Sequence, residues 1–221
     1  MTMNLETLIE THRLKISGVI HMGGNTGEEI DIYHRCGIKR LIMFESLEGI
    51  IINKDLIPVS EAYSCALGNM HGEADLYLSQ PTTISSSIKK PKLHLKYYPG
   101  IRFPQIRKVP VRRLDEFNTY GCNFLKMDVN GYEMEVFEGA ENTLNWIDYI
   151  YTKVYYEELY EGCPNLNDID NYLRSYERVE TSYTKYGWGE ALYLRVLDYA
   201  GNVINKSYYE QRPLHISSNM R

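Results

Sequence analysis

Apolar residues in this chain gather into short runs separated by turn residues. Ser17–His21, with Val19 and Ile20 at its centre, reads as a short strand. It runs straight into the turn Gly23-Gly24-Asn25-Thr26-Gly27. The spacing from Glu28 to Cys36 fits a helix, ended by Gly37. Leu41–Phe44 is unbroken apolar sequence, expected of a strand buried on both faces of a parallel sheet, and Glu45 closes it. A helix to Asp55 and a strand near Ala62–Leu67 should follow. After a turn at Asn69–Gly72, Ala74–Leu78 reads as a strand. Residues 79–108 hold four prolines and little periodicity, so a long loop or lid over the site is expected there. Strand character resumes at Val109–Val111 and again at Phe124–Met127, which Asp128 closes. Gly131 then opens a helix from Tyr132 to Leu144, and Ile147–Tyr156 is a long strand. A helix over Asn167–Leu173 and an antiparallel pair over 178–186 and 190–197 finish the pattern, after a first helix at 5–13.

Strand and helix alternate through most of this order. That predicts one α/β domain over residues 1–221, Rossmann-like, with a mainly parallel central sheet, a terminal antiparallel strand pair and helices on both faces. Ligands bind such sheets at the carboxyl ends of the strands. The glycine turn, Glu45 and Asp128 all fall on such ends, and their coincidence on one edge carries more than any one of them.

Composition narrows the classes. Cys36, Cys65, Cys122 and Cys163 form no Cys-x-x-Cys pair, so zinc-ribbon and thioredoxin readings fail and reduced thiols are expected. The acidic start MTMNLETLIETH lacks the form of a signal peptide, and no apolar stretch reaches the ~20 residues of a membrane span. A cytoplasmic site of action without a membrane partner is the resulting expectation. Net charge is −5, yet residues 81–114 contain no Asp or Glu and nine Lys and Arg. Positive charge interleaved with Tyr97, Tyr98 and Phe103 fits an anionic acceptor, and it equally fits a solvated loop that balances an acidic body.

A glycine turn between a first strand and its helix lets a ligand approach the backbone and meet free N–H groups. Glu45 follows Gly24 at the spacing that lets a carboxylate accept hydrogen bonds from ribose hydroxyls. Nucleotide and S-adenosylmethionine folds share this arrangement. A Gly-x-Gly-x-x-Gly fingerprint aligned on Gly24 and Gly27 would require glycine where Met22 stands, so the pyrophosphate-binding form is broken and NAD is disfavoured. S-adenosylmethionine has no pyrophosphate to hold. His21, Gly23, Gly24, Asn25, Gly27, Glu45, Ser46, Ala66, Leu67 and Asp128 form the candidate cofactor set.

The runs VIHMGGNTGEE, LIMFES, VPVRRLDEF and FLKMDVNGYEMEVFEGAENTL, with EELYEGCP and GWGEALYLR after them, resemble the FkbM family of methyltransferases. They span residues 18–195 in the expected order, and the Lys-Met-Asp-Val-Asn-Gly-Tyr-Glu stretch is the most specific part. The resemblance implies a fold that binds S-adenosylmethionine and O-methylation, often of sugars or natural-product hydroxyls. Two departures stand out. Gly24 occupies a position where the family commonly has alanine, and Lys153 one where it often has Glu.

Methyl transfer to an alcohol needs alignment and a destination for the hydroxyl proton. Asp128 is the first candidate for base or orienting group. Lys126 shares its strand face two residues earlier, and Glu133 sits in the first turn of the next helix. A plain strand-end ion pair and a helix-start acid explain these residues too. Ser87, Lys96, Tyr98, Arg102 and Glu157 are candidates for acceptor binding. No two His or Cys show metal-ligand spacing, so no metal is assigned, although a calcium or magnesium site on Asp128 and Glu133 stays open. Two alternatives accompany a sugar or glycan O-methyltransferase. One is ribose 2′-O-methylation of RNA, suggested by the Lys126, Asp128 and Glu133 set; the other is a catalytically silent S-adenosylmethionine-binding protein, suggested by Lys153.

Overall fold

The computed structural model describes residues 3–25, 27, 29–47, 61–197 and 202. Its main sheet has seven strands, β1 (Gly18–Met22), β2 (Arg40–Glu45), β3 (Glu61–Ser64), β7 (Phe124–Met127), β8 (Tyr149–Tyr155), β9 (Tyr176–Thr181) and β10 (Trp188–Arg195). They lie in the order β3-β2-β1-β7-β8-β10-β9. The first five are parallel; β10 runs antiparallel to both β8 and β9. The expected architecture is therefore present, terminal antiparallel pair included.

The apolar runs are unbroken because both sheet faces are covered. Along β1 and β2, Ile20, Met22, Ile42 and Phe44 face one core with Val136 and Phe137 of α4 (Glu133–Glu138) and Ile169 of α5 (Leu166–Tyr172). Their neighbours Val19, Leu41 and Met43 face the other, with Leu5 and Leu8 of α1 (Leu5–His12) and Ile30 and Tyr33 of α2 (Ile30–Arg35). Every side chain of β1 is buried. Alternation disappears where neither face meets water.

Three expectations are corrected. Residues 79–108 are not a loop throughout. β5 (Gly72–Gln80) pairs antiparallel with the eleven-residue β6 (Arg102–Arg112), and α3 (His94–Tyr97) lies between them. β4 (Ala66–Leu67) pairs with the end of β6, completing a second, three-stranded sheet. Most of β6 is exposed, so no buried face imposes alternation on its sequence. Its prolines are tolerated because β4 covers it only at Val111 and Arg112, and N–H groups on its open side have no ladder to lose. The strand expected over Ala62–Leu67 breaks at Cys65, where the chain passes from one sheet to the other. The helix expected over Tyr132–Leu144 stops at Glu138; the Gly139 carbonyl accepts the Asp115 N–H, and the Asp115 carboxylate takes the N–H groups of Asn142 and Thr143. The helix expected to reach Asp55 lies outside the described residues.

Candidate active site

The sheet order reverses between β1 and β7, and the crevice of an α/β sheet lies at that point. Gly23 leaves β1 with φ +73°, and its own N–H donates to the Phe44 carbonyl. A Cβ there would lie 2.0 Å from the Asp128 carbonyl oxygen. The turn and the end of β7 thus touch, and only glycine satisfies both the dihedral and the space.

A cleft of about 650 Å³ opens from this contact. Gly23, Asn25, Glu45, Ser46, Ala66, Leu67, Ser87 and Asp128 line it. The Glu45 carboxylate is fixed by three donors: the Asn25 N–H at 3.0 Å, the Leu47 N–H at 3.1 Å and the Ser46 hydroxyl at 3.2 Å. A carboxylate offers about four acceptor sites, so one remains for a ligand hydroxyl. Phe44, Leu47, Cys65, Leu76 and Ile88 supply an apolar wall beside it.

Asp128 lies where this cleft meets a second cavity of about 680 Å³. Lys153, one residue past the Met127–Thr152 pair, stands beside it with Nζ 2.6 Å from Oδ1. The same ammonium donates to Asn130 Oδ1 at 3.0 Å. Burial pushes the Asp128 carboxyl upward, and the charges of Lys153 and Lys126 more than offset it, holding Asp128 below its ordinary value. Burial works against the Lys153 charge too, but Asp128 and then Glu133 and Glu190 raise its pKa. The two therefore form a permanent ion pair at neutral pH. Lys153, whose type departs from the family pattern, is central to the site; a lone cation inside the strand Tyr-Ile-Tyr-Thr-Lys-Val-Tyr was the signal for it.

Asn130 is the other residue that sequence reasoning passed over. Its φ of +52° is left-handed, a conformation asparagine tolerates. Its amide donates to the carbonyls of Ile84 and Ser86, and its own carbonyl accepts the Ser87 hydroxyl at 2.6 Å. Asn130 thereby pins the segment 84–87 as a roof over the cleft.

The remaining candidates divide. Gly24 lines a small recess with Gly23, Asn25, Glu29 and Asp128. His21 and Gly27 line none of these spaces. His21 is buried on the opposite sheet face, in contact with the Tyr33 hydroxyl at 3.2 Å, and burial with the nearby Lys126 lowers its pKa to about 3. Lys126 lies in the same cross-strand row, its ammonium 4.4 Å above the Tyr151 ring. It reaches Asp128 through its field and does not line the cleft. Glu133 is fully buried, accepts the Gly131 N–H at 3.3 Å, and lines neither cavity. Burial raises its pKa to about 7. Tyr98 lines the second cavity; Lys96 and Arg102 are exposed outside it, and Glu157 accepts the Tyr97 hydroxyl at 2.6 Å. No cluster of three or more potential metal ligands occurs among the described residues, and no helix there is long and apolar enough to cross a membrane.

Known proteins resemble this chain. The 2-O-methyltransferase NoeI of Sinorhizobium fredii is 33% identical over 127 residues, which cover 53% of this chain and 52% of that protein. The chain thus spans about half the length of that curated relative. The crystal structure of methyltransferase FkbM from Methylobacillus flagellatus aligns with a TM-score of 0.51 at 15% identity, covering 80% of this chain and 43% of that one. Magnesium protoporphyrin IX methyltransferase from Synechocystis, solved with bound S-adenosylmethionine, gives 0.48 at 10% identity over 86% and 75%. The methyltransferase FkbM domain itself matches residues 21–179, from the end of β1 into β9. With most of its length inside that match, the chain belongs to the methyltransferase FkbM family, whose methyl donor is S-adenosylmethionine.

Proposed function

We propose that the chain transfers a methyl group from S-adenosylmethionine to a hydroxyl of a sugar or glycan. The observation that carries this reading is that Asp128 lines both the cleft that holds Glu45 and the cavity that holds its ion-pair partner Lys153. The name of the NoeI relative, a 2-O-methyltransferase, supports a hydroxyl acceptor.

The residues present fit the cofactor. Glu45 keeps an acceptor site for a ribose hydroxyl, the apolar wall suits a purine, and Asp128 offers negative charge at the far end. The bound cofactor supplies an electrophilic methyl on a sulfonium. Asp128 accepts a hydrogen bond from the attacking hydroxyl and so orients it. As that oxygen gained the methyl group its proton would become strongly acidic, and Asp128 would accept it. Even a carboxylate of low pKa is then basic enough. Lys153 holds Asp128 in place and keeps it ionised. Because its pKa is held down, activity should persist below neutral pH until the acid range is reached.

Titration with S-adenosylhomocysteine tests the first half. Micromolar binding that weakens by at least ~30-fold in Glu45→Ala, about 2 kcal/mol, is expected of a lost charge-assisted bond. Preference for NAD would overturn the reading. With an active acceptor in hand, Asp128→Asn should lower kcat by roughly 10²–10⁴-fold.

A further inference from the structure

Asp128 borders three spaces: the cofactor cleft, the second cavity, and the recess of about 440 Å³ beside the glycine turn. Ile84 of the roof lines all three with it. The recess adjoins the cleft, with Gly23 and Asn25 lining both, and the Asn25 N–H donates to Glu45 at 3.0 Å. Among the described residues the recess carries two carboxylates, Asp128 and Glu29, and no cation. Asp128 is neutralised by Lys153 at 2.6 Å. Glu29 has no such partner. His21 lies beside it, Nε2 to Oε2 3.6 Å, but that imidazole is uncharged, because burial and then Lys126 lower its pKa to about 3. Lys126 and Lys153 act on Glu29 only through their fields, and burial still raises its pKa. The Glu29 side chain is 38% exposed, so its charge is open to a ligand. A partly desolvated carboxylate without a close counter-charge is stabilised by a bound cation.

From this geometry we infer that the recess takes the aminocarboxypropyl arm of S-adenosylmethionine and that Glu29 binds the arm's α-ammonium. The inference rests on the methyl-transfer reading. A sulfonium has three substituents, and three spaces border Asp128. The adenosyl group belongs in the cleft with Glu45, and the methyl group must face the cavity from which the acceptor comes. The recess remains for the third. Charge agrees with shape. The donor carries an ammonium and a sulfonium against one carboxylate, so its net charge is positive, and the recess offers Glu29 as an unspent negative charge. An ammonium donates three hydrogen bonds and suits a carboxylate that only accepts. S-adenosylhomocysteine keeps the ammonium and loses the sulfonium, so it reads the Glu29 contact in isolation.

Calorimetric titration of the full chain uses three adenosyl thioethers. They are S-adenosylhomocysteine, its analogue with a 3-carboxypropyl arm that lacks only the amino group, and 5′-methylthioadenosine, which lacks the arm. In the parent, loss of the amino group should weaken binding by roughly tenfold or more, as for a hydrogen bond between charged groups. Glu29→Gln should weaken S-adenosylhomocysteine by a similar factor and leave the other two ligands within about twofold, because the lost contact needs both partners. Glu29→Asp keeps the charge on a shorter stem and should fall between parent and Glu29→Gln; it also serves if the glutamine variant misfolds. A purely structural Glu29 would weaken all three ligands alike. That result, equal affinity of the parent for S-adenosylhomocysteine and its desamino analogue, or unchanged S-adenosylhomocysteine binding in Glu29→Gln would overturn the inference. Failure of all three thioethers to bind the parent would instead sink the cofactor reading on which it rests, so the two failures are distinguishable.

Discussion

Glu133 shows what one buried carboxyl contributes. It is 0% exposed, and burial lifts its pKa from the ordinary 4.5 to about 7. The folded protein therefore holds this proton more tightly than the unfolded chain does. The contribution is fully present below pH 4.5 and is lost as pH rises through about 7, a swing on the order of 3 kcal/mol. His21 and His94 act in the opposite sense: buried neutral, with pKa values lowered to about 3 and about 4 from 6.5, they cost stability as pH falls below 6.5. Glu133→Gln keeps the volume and removes only the first effect. Melting curves from about pH 4.5 to pH 8 should show the variant gaining on the parent as pH rises, and it should be the more stable form above pH 7. Parallel curves would mean that Glu133 titrates normally. Its position two residues after Gly131 was legible in the sequence as a helix start. Its isolation from both cavities was not, because burial depends on how the segments around Tyr155 and Tyr160 close over it.

At the scale of elements, the abrupt end of α4 is informative. Gly139 has φ −84°, a backbone any residue adopts, so helix propensity alone predicts that Gly139→Ala stabilises by up to ~1 kcal/mol. Packing predicts the reverse. The new Cβ would lie 1.9 Å from the Gly68 carbonyl oxygen and 2.8 Å from its carbon, both backbone. The contact joins α4 to the turn after β4, whose Ala66 and Leu67 line the cleft. Gly139→Ala should therefore lower Tm by roughly 5–10 °C, corresponding to about 2–3 kcal/mol of overpacking. Calorimetry decides, and an unchanged or raised Tm would mean the two segments separate at little cost. Contacts between elements also explain the misread helix: the periodicity of Tyr132–Leu144 is helical, but Asp115, from a separate segment, bonds the Gly139 carbonyl and the N–H groups of Asn142 and Thr143. β5 and the end of β6 read as strands at Ala74–Leu78 and Val109–Val111; the rest of β6 was obscured, since a mostly exposed strand with prolines on an open edge carries a weak pattern.

Across the whole molecule the basic segment changes meaning. Six of its nine cations pair with carboxylates supplied by the rest of the chain. Lys89 meets Glu135, Lys90 meets Glu161, Lys92 meets Glu158, Lys108 meets Asp75, Arg112 meets Glu116 and Arg113 meets Asp115. Several of these pairs are exposed and add little stability individually. Their consequence is electrostatic: the excess charge is spent on the protein's own surface. RNA should therefore bind weakly if at all, with an affinity nearly flat between ~50 and ~200 mM salt, where a binder making 6–10 phosphate contacts loses ~10³–10⁵-fold. A steep slope in a filter-binding assay would restore the RNA reading.

Much was determined by the sequence alone. Continuous apolar strands, a glycine turn after the first and acids closing the second and the Phe124 strand fix an α/β sheet with a nucleoside cleft, because burial on both faces and short-range backbone geometry are local demands. Tertiary structure decided the rest. It brought Lys153 to Asp128, folded much of the basic segment onto carboxylates of other elements, made Asn130 the pin of the roof and walled a second cavity with His94, Tyr98, Tyr155, Tyr160 and Trp188. Those outcomes depend on which residues from separate elements meet, and no period or spacing along a single chain encodes that meeting.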